Sequence, residues 1–435
     1  MNKGQNLYKE AKKIILGGNM LLSKRPEMFL PNIWPSYFVK SEKIYLWDLN
    51  GNKYTDMIFA VGQNILGYKN DELDNSIINS IKRGNMTTLN CPEEVYLTKK
   101  LISLHPWAGM AKYARSGGEA NALAIRIARA ASKKDGVAIC GYHGWHDWYL
   151  STNLKDKKKL SKHLLDGLDP VGVPKGLKNT VYPFNYGDLK EFKRIVNTKK
   201  VGVIKMEVCR NSLPNLNFLK EIRKIATKNK MVLIFDECTS GFRRNLGGMH
   251  MNYKIYPDMV MFGKALGNGY AITAVLGRKE IMKKAETSFI SSTFWTERIG
   301  FVAALKCLEI MKKKKSWRTI IKNGKYLIKK IKQTAKKHDL NINITGIESI
   351  VYISFKSKNS LAFKTYLTQE MLKNKILASS QIFLSIYHSK SIINKYIKNL
   401  DKIFKKISYF EKNNINKNKF LDNKICHQTF QRLNV

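Results

Sequence analysis

Short runs of consecutive apolar residues recur through the middle of the chain, separated by segments of helical periodicity. Val201–Met206, Met231–Asp236 and Asp258–Phe262 are segments of this kind that are mostly apolar, and each is followed by polar or glycine-rich residues. Parallel strands that are buried on both faces have this composition, because helices cover both sides of their sheet. The pattern predicts an α/β fold with a mainly parallel sheet flanked by helices.

The two ends of the chain have a different pattern from the middle. Residues 1–58 predict a helix and a hairpin, residues 59–297 the large domain, and residues 298–435 further helices and a strand of an α+β domain. We expect the N-terminal and C-terminal parts to form the smaller domain together. Within the C-terminal part, residues 411–424 are polar and predict a linker, and residues 425–433 regain apolar side chains that dock back.

Lys264 follows the apolar run Asp258–Phe262 and stands in a turn between Gly263 and Gly267. Glycines allow a backbone and a ligand to approach each other closely. A partly desolvated lysine loses its proton more readily and forms a Schiff base with an aldehyde. The segment also fits an ordinary turn lysine, so other segments must decide between these interpretations.

Asp236 ends the apolar run Met231–Asp236, at the strand edge where open α/β sheets bind their ligands. An aspartate in this place often caps the following turn. Its carboxylate would also pair with a pyridinium nitrogen, which pyridoxal phosphate needs if its ring is to accept electrons. Both interpretations fit the sequence.

Ser116, Gly117 and Gly118 precede the helical pattern Ala122–Ala131. Two glycines at a helix start leave backbone N–H groups free to bind an anion such as a phosphate. The alternative is a simple capped helix, since serine is a favoured N-cap residue.

The strand Val137–Cys140 opens into a cluster of aromatic residues and histidines. Tyr142 at its edge would lie flat on an aromatic cofactor. The spacing of His143 and His146 suggests a metal, but the sequence supplies no third and fourth ligand. We therefore expect no metal site and interpret both histidines as core residues or as neighbours of the site.

These segments, in this order, resemble the class III (subgroup II) aminotransferases, most closely the branch that contains glutamate-1-semialdehyde 2,1-aminomutase. Ser116–Ala120, Tyr142–Gly144, Phe235–Glu237 and Phe262–Lys264 match four family motifs, and Ile44–Asp56 resembles the family's N-terminal hairpin. The resemblance implies a fold type I transferase, with a mainly parallel seven-stranded sheet in its large domain and a smaller α+β domain. It also implies pyridoxal 5'-phosphate as cofactor.

The resemblance assigns each site residue a role. Lys264 would carry the internal aldimine and move the proton, Asp236 would hold the ring nitrogen protonated, and Tyr142 would stack on the ring. Thr293 matches a family threonine that reaches the phosphate of the neighbouring subunit, which implies a homodimer with shared active sites. The remaining cofactor-binding residues that it implies are Ser116, Gly117 and Gly118 at the phosphate, together with His143 and Glu207.

The implied reaction moves an amino group from an amino-acid donor to a small-molecule carbonyl acceptor, an aldehyde or ketone that includes an oxo-sugar. Intramolecular amino exchange of the aminomutase type is the alternative. Gly118 stands where many relatives have threonine or serine, and Val208 follows Glu207 where proline is usual. Lys24 and Arg25 lie where the aminomutase branch has an arginine near the substrate carboxylate, although surface charge is the commoner role of such residues.

Composition changes this picture little. The 435 residues are 44% hydrophobic, enough for a large core, and the six cysteines show no paired spacing, which favours a reduced, cytoplasmic protein. No run is long and apolar enough to span a membrane.

The net charge of +44 would suit a nucleic-acid-binding protein without catalysis, which remains a remote alternative. The lysines are spread along the chain, however, and predict solvated faces.

Overall fold

The computed structural model describes residues 2–164, 166–209 and 212–430. The helices are α1 (Lys3–Ile14), α2 (Phe59–Gly62), α3 (Asp71–Ile81), α4 (Glu93–Leu104), α5 (Gly117–Ser132), α6 (Asp147–Leu150), α7 (Leu189–Thr198), α8 (Leu216–Lys228), α9 (Lys279–Met282), α10 (Arg298–Lys314), α11 (Ser316–Lys337), α12 (Ser360–Lys373) and α13 (Lys390–Lys412). The strands are β1 (Phe38–Glu42), β2 (Tyr45–Asp48), β3 (Lys53–Asp56), β4 (Met110–Ala114), β5 (Gly136–Cys140), β6 (Val181–Pro183), β7 (Val201–Glu207), β8 (Val232–Asp236), β9 (Met259–Phe262), β10 (Thr273–Gly277), β11 (Ile342–Ile347), β12 (Ile350–Phe355), β13 (Ile376–Leu377) and β14 (Gln381–Phe383).

The chain forms two compact units. The larger comprises Asp71–Trp317, and the smaller combines Met1–Asn70 with Arg318–Val435. The boundaries proposed from the sequence, after residues 58 and 297, fall earlier than these breaks. Helix α10 follows the second proposed boundary and packs against α3 and α4 within the larger unit.

A seven-stranded sheet organises the larger unit, in the order β4-β10-β9-β8-β7-β5-β6. The five strands from β9 to β6 run parallel, and β10 is antiparallel to both β9 and β4. Leu123 and Ile127 of α5 pack in one core with Ile139, Val203 and Ile234 of the sheet. This arrangement confirms the predicted fold class.

The register of the parallel strands brings their carboxyl ends to one edge of the sheet. Glu207 pairs with Asp236 across β7 and β8, and Asp236 pairs with Met261 across β8 and β9. Lys264 follows the end of β9 by two residues. The polar residues that the sequence predicts at strand ends therefore lie at the same sheet edge, where α/β proteins bind their ligands.

Two small sheets, in the orders β1-β2-β3-β13 and β11-β12-β14, form the smaller unit with its helices. The expected hairpin forms from β2 and β3, which pair in antiparallel register. Its turn is stabilised by the Asp48 carboxylate, which accepts hydrogen bonds from the N–H groups of Asn50 and Asn52, both at 2.9 Å.

The C-terminal segment is anchored within its predicted linker as well as after it. The ring of Phe420 stacks on Phe410 with 4.4 Å between ring centroids, and the N–H of Cys426 donates to Thr365 Oγ1 at 3.1 Å. Residues 431–435, which include the end of the predicted docking segment, lie outside the described residues. In the described part of the chain, every helix is too short or too polar to cross a membrane.

Candidate active site

Lys264 begins a short 3-10 turn directly after β9 and Gly263. Its φ of 42° lies in the left-handed region, which non-glycine residues rarely adopt and which is often found at functional sites. Its Nζ donates to Thr239 Oγ1 at 2.8 Å. Burial, together with the nearby Arg243 cation, lowers the pKa of Lys264, so its amine reaches the neutral, nucleophilic form more readily than an exposed lysine does.

Gly263 allows the chain to pass close to the next strand end. A Cβ at this position would lie 3.1 Å from Thr273 Cγ2 and 3.2 Å from Cys238 Sγ, so a side chain would displace one of them. Cys238 thus lies beside the backbone that carries Lys264. Burial raises the pKa of Cys238 well above its usual range, and the Asp236 carboxylate adds to the effect, so its thiol stays protonated.

Asp236 and His143 form a buried pair at the sheet edge. Oδ2 of Asp236 lies 2.8 Å from His143 Nδ1, and Oδ1 accepts from the N–H of Cys238 at 3.1 Å. Burial alone would raise the pKa of Asp236, but the His143 hydrogen bond and the Lys205 cation outweigh it and hold this pKa well below its usual range. Burial also lowers the pKa of His143, so we assign a neutral ring that donates from Nδ1 to an ionised carboxylate.

Lys205 is a fully buried lysine in the interior of β7 that the sequence reasoning missed. Its Nζ lies 2.9 Å from the sulfur of Met261, which is the register partner of Asp236. Burial lowers the pKa of Lys205, whereas the Asp236 carboxylate acts against that shift. The sequence contained a signal for this buried lysine, namely a single lysine in an otherwise apolar strand. Helices cover both faces of such a strand, so its lysine has no route to solvent.

The start of α5 has the geometry expected of an anion site. Ser116 caps the helix by accepting from the N–H of Glu119, and the Glu119 carboxylate accepts from the N–H of Ser116 at 2.8 Å. The N–H groups of Gly117 and Gly118, in the first turn, have no acceptor within the helix. The capped helix and the phosphate cradle are therefore compatible descriptions of one structure.

The loop after β5 packs directly on this helix start. A Cβ at Gly118 would lie 2.7 Å from His146 Cε1 and 2.9 Å from His146 Nδ1. Gly144, with a φ of 100°, brings the loop backbone so close that its own Cβ would lie 3.0 Å from Gly118 Cα. The sequence identified His146 only as a core residue or neighbour of the site, and the structure places it against Gly118 at the start of α5.

Tyr142 and Glu207 are joined through the backbone. The N–H of Tyr142 donates to Glu207 Oε2 at 3.0 Å, while the residue is 43% exposed and its ring meets Tyr149 edge-on. Gly141, at φ 119°, is required here because a Cβ would lie 2.4 Å from the same Glu207 oxygen. Glu207 therefore anchors the loop that presents the Tyr142 ring.

Thr293 lies on an exposed turn, and among the described residues no hydrogen bond joins its side chain to Gly117 or Gly118. The turn is fixed to the helix start from the other side. Arg115 donates to the carbonyl of Phe294 at 2.8 Å, and Trp295 Nε1 donates to Glu119 Oε1 at 3.2 Å. The role of Thr293 in a neighbouring subunit stays a prediction.

Lys24 and Arg25 belong to the smaller unit. Lys24 ends a 3-10 turn, and the Arg25 guanidinium lies 5.4 Å from the ring centroid of Phe430. Their suggested contact with a substrate carboxylate also stays a prediction. Within the ranges that the structure describes, no cluster of three or more histidine, cysteine, aspartate or glutamate side chains is arranged to hold a metal.

A pyridoxal phosphate molecule needs an amine for its aldehyde, an anion for its ring nitrogen and donors for its phosphate. Lys264 offers the amine, Asp236 the ionised carboxylate, and the first turn of α5 the donors. The nitrogens His143 Nε2 and His146 Nδ1 are buried without a hydrogen-bond partner among the described residues, which leaves polar capacity for a ligand. The site therefore fits the cofactor, and fold and site together define a pyridoxal-phosphate-dependent transferase of fold type I.

Comparison with known proteins identifies the family. The family model "Aminotransferase class-III" matches residues 32–380. The chain belongs to this family, as the sequence motifs predicted, and the expected cofactor and reaction class are confirmed with it. Pyridoxal phosphate is the cofactor, and the enzyme is an aminotransferase-family protein.

Two relatives illustrate the range of activities in the family. The chain is 32% identical over 396 residues to 3-aminobutyryl-CoA aminotransferase of Cloacimonas acidaminovorans (strain Evry), a match that covers 89% of this chain and 91% of the relative. It is 29% identical over 432 residues to glutamate-1-semialdehyde 2,1-aminomutase of Methanocaldococcus jannaschii, covering 93% and 98%.

Solved structures share the fold over nearly the whole chain. The FumI protein of Sphingopyxis sp. MTA144, in its PLP internal aldimine form, superposes with a TM-score of 0.84 at 21% identity, covering 94% of this chain and 97% of that one. An omega-transaminase of Sphaerobacter thermophilus gives a TM-score of 0.83 at 19% identity, covering 93% and 97%.

Proposed function

We propose that this enzyme moves an amino group from an amino-acid donor to an aldehyde or ketone acceptor, a class that includes oxo-sugars, and that Lys264 is its catalytic lysine. The supporting observation is the position of Lys264, whose amine has a lowered pKa and follows β9 at the sheet edge that also carries Asp236. When bound, pyridoxal phosphate supplies the electron sink that makes a substrate carbon acidic.

The residues at this edge divide the remaining work. The free amine of Lys264 would take the proton from the substrate carbon at Nζ and would deliver it to a carbon of the cofactor, and Thr239 Oγ1 fixes the position of this Nζ. The ionised carboxylate of Asp236 would stabilise the protonated form of the cofactor's ring nitrogen. His143 keeps that carboxylate oriented through the bond from Nδ1.

We propose that Ser116, Gly117 and Gly118 hold the cofactor phosphate and that the exposed ring of Tyr142 covers the cofactor ring, with Glu207 holding the loop. Thr293 of the partner subunit completes the phosphate site, so the enzyme works as a homodimer with shared active sites. This proposal is supported by the exposure of Thr293 on a turn anchored by Arg115. The six cysteines form no disulfide among the described residues, which fits a cytoplasmic location.

A half-reaction screen tests the proposed chemistry. Enzyme loaded with pyridoxal phosphate is mixed with single amino acids, and conversion of the cofactor to its amine form is followed by absorbance. Candidate aldehydes and ketones, oxo-sugars among them, are then tested for the reverse conversion. We expect at least one pair of donor and acceptor to convert the cofactor of the wild type to the amine form and back. No pair should do so with Lys264→Arg, which keeps the positive charge but lacks the nucleophilic amine. A panel in which no donor converts the cofactor would contradict the proposal.

Intramolecular amino exchange is the second candidate, because several relatives are glutamate-1-semialdehyde 2,1-aminomutases. An aminomutase converts its substrate into an isomer without a separate acceptor. Incubation with glutamate-1-semialdehyde alone separates the candidates: sustained isomer formation would support the exchange, whereas a need for a second carbonyl compound would support transfer between molecules.

A further inference from the structure

We propose that His146 is a side-chain ligand of the cofactor phosphate and takes the place that a side chain at position 118 would occupy. The inference rests on the proposed phosphate site at the start of α5. It concerns a residue that lies outside the motifs from which that site was predicted.

The first observation is steric. A Cβ at Gly118 would overlap the imidazole ring of His146, at 2.7 Å from Cε1 and 2.9 Å from Nδ1. The ring is held there by stacking on Trp145, with 4.6 Å between ring centroids, and by the close approach of Gly144 to Gly118. Gly118 and His146 therefore share one space, and a side chain at position 118 would have to displace the His146 ring.

The second observation concerns the polar atom of this ring. Nδ1 of His146 is buried, and the described residues provide it with no hydrogen-bond partner. A buried nitrogen without a partner is costly, so such atoms are usually explained by a ligand or an ordered water. This nitrogen lies beside the first turn of a sixteen-residue helix, where N–H groups and the helix dipole favour an anion.

Charge at the site suits a neutral donor. Burial lowers the pKa of His146, an effect that the carboxylates of Glu119 and Asp147 oppose. The Glu119 carboxylate is already occupied by the N–H groups of Arg115 and Ser116. An imidazole with its proton on Nδ1 would donate to a phosphate oxygen, as a hydroxyl at position 118 would do from the same place.

The test compares pyridoxal phosphate with pyridoxal, which lacks the phosphate, in equilibrium binding to the apoenzyme followed by absorbance. His146→Phe keeps a ring against Gly118 but removes both nitrogens, and His146→Asn keeps an N–H donor near the place of Nδ1. We expect His146→Phe to weaken pyridoxal phosphate binding about tenfold, with pyridoxal binding changed less than about twofold, and His146→Asn to retain most of the affinity.

An exchange of the two positions adds a second test. Gly118→Thr alone should bind pyridoxal phosphate poorly because it collides with His146, whereas His146→Ala combined with Gly118→Thr should recover affinity relative to His146→Ala. Equal losses for pyridoxal and its phosphate in His146→Phe would indicate a purely structural role and overturn the inference. The inference would also be overturned if His146→Phe bound pyridoxal phosphate as tightly as the wild type, or if the double variant bound it no more tightly than His146→Ala. Failure of the wild type to bind pyridoxal phosphate would instead contradict the proposed function.

Discussion

His143 Nδ1 lies 2.8 Å from Asp236 Oδ2, although His143 follows β5, Asp236 ends β8, and these two strands are not neighbours in the sheet. Strand β7 runs between β5 and β8, so the bond passes over the end of β7, where Glu207 holds the loop of Tyr142. The same small region therefore determines the charge of Asp236 and the position of the Tyr142 ring. Changes at these residues should therefore affect chemistry more than folding.

Asp236→Asn preserves the shape of the side chain and removes its charge. We expect cofactor to remain bound while turnover falls at least about 100-fold, because the ring nitrogen would lose the anion that keeps it protonated. Steady-state rates measured on fully loaded enzyme check this. Turnover near the wild-type level with cofactor saturated would exclude the role given to Asp236.

Lys205 sits in an apolar layer where its only short polar contact among the described residues is the sulfur of Met261, at 2.9 Å. Lys205→Met should keep the fold, since methionine has a similar volume and needs no counter-charge. Lys205→Glu would place a buried carboxylate near Asp236 and Glu207 and should cost about 3 kcal/mol or more. The thermal unfolding midpoints of the two variants measure these effects. If Lys205→Glu were as stable as Lys205→Met, the environment of position 205 would tolerate a carboxylate, and the description of a buried, charge-sensitive site would be wrong.

His105 predicts acid sensitivity of the larger unit. Its Nδ1 lies 2.8 Å from the carbonyl of Leu101 and its Nε2 accepts from Gly248 N–H at 2.9 Å, while burial lowers its pKa from 6.5 to about 4. Because the folded pKa lies below the unfolded one, the stability from neutral His105 is complete above about pH 6.5 and is lost as the pH falls towards 4, about 3 kcal/mol in all.

The pH dependence is checked with thermal midpoints at pH 7.5 and pH 5. We expect His105→Gln to be less stable than the wild type at pH 7.5, because it disturbs two hydrogen bonds, yet to lose less stability on acidification. An identical drop in both proteins would assign the acid sensitivity to other groups.

The proposed sharing of active sites between subunits predicts complementation between inactive chains. In a heterodimer of Lys264→Ala and Thr293→Ala subunits, one site collects both changes and the other collects neither. We expect each heterodimer to have up to about half of the wild-type activity, so a 1:1 mixture under random subunit exchange should approach about a quarter of the wild-type value per dimer. Proven heterodimers that stay inactive, or a fully active wild-type monomer, would contradict the shared site.

The sequence was sufficient for the fold class and for most residues along the sheet edge, because both depend on local patterns. Apolar runs that end in Glu207 and Asp236, or lead to Lys264, mark the carboxyl ends of parallel strands. The place of Gly117 and Gly118 at a helix start was predictable for the same reason, since a helix start has a local signature.

The missed residues depend on contacts between distant parts of the chain. Thr239 becomes a partner of Lys264 only when the loop after β8 meets the turn after β9. His146 gains its place only because Gly118 has no side chain, a complementarity that neither segment reveals alone. Lys205 had a local signal, but nothing in the strand itself indicates that the lysine lies near Asp236.

The identity of the catalytic lysine is the central claim, and borohydride reduction of the enzyme loaded with pyridoxal phosphate tests it most directly. Reduction makes the bond between cofactor and lysine permanent, and peptide mapping by mass spectrometry then locates the pyridoxyl group. We expect one label per chain, on Lys264, and no label at this peptide in Lys264→Arg. A label on Lys205 or on another of the many lysines, with Lys264 unmodified, would contradict the account.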